Sequence, residues 1–95
     1  PYVFDTNDMR FVDSFAFVRA NDFADYVVDC FDWLWREGAH QPKMMSIGLH
    51  TRIIGRAGRI KGLHTALEHM QAKGKVWFAR REDIARHWWA TVPVK

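Results

Sequence analysis

Ninety-five residues make at most one domain with a modest core, which buries only about 60–65% of the surface an unfolded chain of this size exposes. At 48% hydrophobic and 26% charged residues, the composition excludes a disordered or low-complexity chain. No apolar run reaches the roughly 18 residues of a membrane-spanning helix, and no charged segment precedes an apolar one as in a signal peptide. The lone Cys30 excludes a disulfide scaffold and a cysteine zinc site, and it fits the reducing cytoplasm. A start at Pro1 rather than Met, with five Trp in so short a chain, predicts a piece of a larger fold. Residues 1–42 carry eight acids against three bases, and residues 43–95 eleven bases against three acids. The two halves are expected to neutralise each other within one fold. No basic–aromatic motif for nucleic acid is present, and Arg80-Arg81 is too short to form a patch alone.

Tyr2-Val3-Phe4 reads as a short strand ending at the polar Asp5-Thr6-Asn7-Asp8. A connection through Phe11 to Ala20 follows. Asn21 as cap and Asp22 and Asp25 in the first turn predict a helix over about 22–37. Its apolar face holds Phe23, Tyr26, Val27, Cys30, Phe31, Leu34 and Trp35, and Gly38 is expected to stop it in the left-handed conformation. After Pro42, residues 44–49 read as a buried strand ending at His50. Gly55, Gly58 and Gly62 with Arg52, Arg56 and Arg59 predict a glycine-rich loop leading into a helix. The stripe of that helix is Ile60, Leu63, Leu67 and Met70, and Gly74 ends it. Residues 76–79 read as a third strand, and Glu82-Asp83 open the last helix. Three strand–helix units predict an α/β sheet or barrel, although a closed barrel needs more strands than three.

The residues able to carry chemistry fall just after predicted strands: Asp5 and Asp8, then His50 and Arg52, then Arg80 and Arg81. In parallel α/β folds such positions converge on one rim, where active sites are built. Asp5 or Asp8 is therefore expected within hydrogen-bond reach of His50, with Arg80 on the same rim. A carboxylate there would orient the imidazole and stabilise its protonated form, as a general acid requires. His64 and His69 are five apart and do not share a helix face, so they are poor joint metal ligands. Surface or packing roles are expected for His40, His64, His69 and His87, and Cys30 is read as a small core hydrophobe. The Gly55–Arg59 segment matches neither the phosphate-binding loop nor the dinucleotide pattern, so it is read as structural.

Three stretches in order carry a resemblance: Asp5-Thr6-Asn7-Asp8-Met9-Arg10-Phe11, Met45-Ser46-Ile47-Gly48-Leu49-His50, and the segment from Trp77 to Trp88. Together they resemble the C-terminal part of a polysaccharide-deacetylase-superfamily hydrolase, nearest the allantoinase-like and cyclic-imide-hydrolase-like branch. The resemblance implies that residues 1–95 are the C-terminal portion of a deformed (β/α) barrel, incomplete alone. His50 is similar to the family's catalytic histidine, and Asp5-x-x-Asp8 to the pair that supports it. It further implies substrate binding by Arg52 or Arg80. Met9 stands where sugar deacetylases commonly have Trp, and Thr51 follows His50 where an Asp is expected; both departures favour the allantoinase-like branch. Ala57 stands where that branch often carries Pro.

The family's catalytic base and its metal-binding Asp and His motifs belong to earlier barrel strands. The resemblance thus implies that a divalent metal such as zinc would be held by residues outside this chain, and members of the branch differ in needing one. The function implied is hydrolysis of non-peptide C–N bonds in linear or cyclic amides. A sugar N-deacetylase of the same superfamily is the alternative enzyme, and a non-catalytic basic α/β binding module the alternative of another class. The expected partners are the remaining N-terminal part of the barrel or a chain that replaces it, a small amide or ureide substrate, and further copies in a homo-oligomer. Neither nucleic acid nor membrane is expected.

Overall fold

Phe23, Val27 and Phe31, each four residues from the next, lay an apolar stripe along one helix face, and the fold is assembled around it. The computed structural model describes residues 5–12 and 17–91. Helix α1 spans Ala20–Glu37. The Asp22 carboxylate accepts the backbone N–H groups of Arg19 at 2.7 Å and Val18 at 3.0 Å. The first helical turn is therefore fixed from within, and Asn21 lies inside the helix instead of capping it. Phe23, Ala24, Val27 and Phe31 are buried, whereas Tyr26 and Trp35 remain exposed. Gly38 stays right-handed, with φ −60°, and its N–H bonds Leu34 O at 2.8 Å. The helix therefore ends without the expected left-handed turn.

Helix α2 is the single turn Thr51–Ile54, α3 spans Ala57–Lys73, and α4 spans Arg81–Thr91. Gly58 and Gly62, expected in a loop, lie within α3. A Cβ on Gly62 would stand 2.5 Å from the Ala20 carbonyl oxygen, so the close approach of α3 to the start of α1 depends on that glycine. This contact sets the register of α3. Its buried face runs through Gly62, Ala66 and Met70 with Leu63 beside them, and Ile60 and Leu67 turn outward. Gly74 leaves the helix with φ +76°, a region that glycine enters without steric cost.

The α1–α3 pair is the main packed unit. Phe17, Ile54 and Met70 join the α1 stripe in its core, and Met45 and Val76 pack against it. Polar ties reinforce the pair. His69 Nε2 lies 2.6 Å from Asp32 Oδ1, and Trp35 Nε1 donates to Gly74 O at 3.0 Å.

Among the described residues no strand forms. The first expected strand, residues 2–4, lies outside them. Residues 44–49 pair at one position, the parallel bridge between Asn7 and Gly48. There Gly48 N donates to Thr6 O at 2.8 Å and Asp8 N to Gly48 O at 2.9 Å. Residues 76–79 have no regular structure. A strand exists only as a ladder, and an extended segment without neighbours has none. The strand–helix alternation is thus present as helices joined by extended segments, and the one pairing has the parallel sense that a crossover through α1 requires.

The radius of gyration is 14.8 Å, against roughly 12 Å for a compact domain of this length. Much of the excess comes from an open end. Among the described residues helix α4 has no packing on another helix comparable to that of α1 on α3, and Trp77, Phe78, Trp88 and Trp89 are all exposed.

Candidate active site

Asn7 caps a 3-10 turn over Asp8–Phe11, its Oδ1 accepting Met9 N at 2.8 Å. The parallel bridge places this turn beside His50, which caps α2. Thr6 secures the same junction, its hydroxyl donating to Ser46 O at 2.6 Å. Asp8 is fully buried at the junction.

Its carboxylate holds three groups. Oδ1 lies 2.7 Å from His50 Nδ1, and Oδ2 accepts the backbone N–H groups of His50 at 2.5 Å and Ile54 at 3.2 Å. One buried side chain thereby fixes the ring of His50, its backbone and the start of α2. With an ionised carboxylate as acceptor, Nδ1–H donates, which sets the tautomer and the orientation of the ring. The His50 side chain is 31% exposed, so the couple combines a buried anchor with an accessible ring.

The other expected site residues have contacts of their own. Asp5 is exposed, and its charge acts on Cys30, whose thiol is pushed up first by burial and second by Asp5. Cys30 is half-buried. The Arg80 guanidinium is engaged by Asp83 at 3.1 Å, which holds the Asp83 carboxyl below its ordinary value. Arg80 therefore forms a local helix-start pair and not part of the couple. Arg52 is exposed on α2 and borders an open depression with Arg56 and Arg59. Sequence reasoning passed over Thr6 and Asn7, although a polar run with Asn immediately before Asp8 is the usual signature of a capped turn.

No family model matches the chain. It is 46% identical over 96 residues to the "Putative polysaccharide deacetylase" of Schizosaccharomyces pombe, an alignment that takes in 100% of this chain and 30% of that protein. The crystal structure of PuuE allantoinase superposes on all of this chain with a TM-score of 0.97 and 52% identity, across 32% of its own length. The same values hold for the crystal structure of a "probable Polysaccharide deacetylase" from Pseudomonas aeruginosa PAO1. The chain is polysaccharide-deacetylase-like and allantoinase-like throughout. It spans about a third of the length of these relatives.

Among the described residues no three His, Cys, Asp or Glu side chains are grouped to hold a metal ion. No described helix is long and apolar enough to cross a membrane.

Proposed function

We propose that residues 1–95 form the C-terminal part of a barrel hydrolase acting on non-peptide C–N bonds of linear or cyclic amides. The Asp8–His50 couple carries this reading: a buried carboxylate 2.7 Å from a part-exposed imidazole, in a chain that superposes on an allantoinase along its whole length. Water is activated by a base outside these residues and adds to the amide carbon. As the C–N bond breaks, its electron pair goes to nitrogen, which takes the proton from His50 Nε2. The ring is left neutral and Asp8 unchanged. An amine departs poorly unless protonated, so the gain falls on this step. Arg52, two residues beyond His50, binds the substrate. The remaining barrel, from the same polypeptide or a partner, covers the exposed aromatic end, and the assembled enzyme is a cytoplasmic homo-oligomer.

Sugar N-deacetylation is the second reading, favoured by the descriptions of the S. pombe and P. aeruginosa relatives. Assay of the full-length protein on a ureide, a cyclic imide and an N-acetylated sugar separates the two. Turnover of the first or second supports the proposal, and turnover of the sugar alone replaces it. Hydrolysis of none favours a binding module.

A further inference from the structure

Three arginines face one open depression of about 570 Å³ beside α2 and the start of α3. Arg52 comes from α2, Arg56 is the residue before α3, and Arg59 lies in its first turn. Like charges brought together on one surface repel unless something compensates them. Among the described residues none of the three guanidinium groups forms an ion pair with a carboxylate.

Two of the groups are nevertheless held in place. Arg56 Nε donates to Arg52 O at 3.3 Å, and Arg59 NH1 donates to Ile53 O at 3.4 Å while its guanidinium carbon sits 5.0 Å from the Phe11 ring centre. These partners are uncharged and leave the positive charge of both groups in place. The start of α3 adds to this field. Arg56 offers no side-chain oxygen to cap it, and the first N–H groups of a helix carry partial positive charge. Gly58 lines the same depression, and a Cβ there would meet nothing within 4 Å, so space remains for a bound group.

We propose that Arg52, Arg56 and Arg59 form an oxyanion subsite that takes a carboxylate of the reacting molecule. Guanidinium groups match carboxylates in a two-point fork. The inference rests on the hydrolase reading, because amide hydrolysis creates a carboxylate and one turn of helix links the depression to His50: Ile53, in its lining, donates its N–H to His50 O at 2.8 Å. The subsite therefore serves the ring-opened product and linear amides that already bear an acid group.

Binding of succinamate, with inorganic phosphate as a second probe, is to be followed by calorimetry on the full-length protein. Saturable, salt-sensitive binding of succinamate is expected, weakened about tenfold or more in Arg56→Gln by loss of a charged hydrogen bond. Arg56 is exposed, so this substitution leaves the fold intact. Lys61→Gln removes the same charge outside the depression and should leave binding unchanged. Absence of succinamate binding, binding of phosphate only, or equal weakening by both substitutions would overturn the proposal. Turnover of a neutral cyclic imide is measured separately on the wild type. Anion binding without that turnover would count against the hydrolase reading, and turnover without anion binding against the subsite alone.

Discussion

Asp8 grips His50 twice, through the ring at 2.7 Å and through the backbone N–H at 2.5 Å, and the same carboxylate also accepts Ile54 N. Orientation of the imidazole and the start of α2 therefore depend on one buried group. Replacement by Ala leaves buried donors without an acceptor, at a cost of about 1–3 kcal/mol for each one left unpaired. Asp8→Ala should be markedly destabilised in denaturant titration, and Asp8→Asn less so because one oxygen remains. Equal stability of Asp8→Ala and the wild type would contradict this geometry.

The Gly62 contact gives a second prediction. A Cβ at position 62 would stand 2.5 Å from backbone at Ala20, and backbone cannot swing aside as a side chain can. Gly62→Ala should force α1 and α3 apart and cost about 1–3 kcal/mol. Gly58→Ala meets nothing within 4 Å and should be neutral or stabilising by up to about 1 kcal/mol, since Ala is the better helix former. Urea titration should show a loss of stability for Gly62→Ala and none for Gly58→Ala.

Acid should loosen the start of α1. Asp22 is held below its ordinary pKa by the Arg19 and then the Val18 backbone bonds. A depressed folded-state value means that the bonds contribute stability above the unfolded carboxylate pKa of about 3.9. This contribution is lost as pH falls through the lower folded-state value. Amide exchange at the first turn of α1 should therefore accelerate, relative to the centre of α1, over that acid range. In Asp22→Asn the acid-dependent step should disappear.

The exposed aromatic end predicts how the chain behaves alone. Trp77, Phe78, Trp88 and Trp89 are between 54 and 63% exposed, four large apolar side chains left in water, and exposed apolar surface favours association. The isolated 95-residue chain should self-associate in sedimentation experiments, with enhanced dye binding. Supplying the remaining barrel should suppress both. A monodisperse isolated chain that binds no dye would refute this.

These outcomes mark what could be read from residues alone. Helix α1 was legible because Phe23, Val27 and Phe31 repeat on one face, and the Asp8–His50 meeting was legible because both come soon after runs that read as strands in the sequence. The face of α3 was not. Ile60 and Leu67 are large and apolar, but the approach of Ala20 to Gly62 turns them outward, and periodicity cannot anticipate a long-range backbone contact. Strands at 44–49 and 76–79 do not form among the described residues, because β-forming side chains do not supply ladder partners. Asp5 and Asp8 are alike in sequence, and only the turn capped by Asn7 buries one and exposes the other.

The central claim is that His50 acts as a general acid, and dependence on the leaving group tests it most directly. In the full-length enzyme, His50→Ala should lower kcat by about 10²–10⁴-fold on amides with poor leaving groups. KM should change little, because the interaction develops in the transition state. The defect should narrow on substrates whose departing nitrogen needs no protonation. An equal defect on good and poor leaving groups, or none on either, would contradict the assignment.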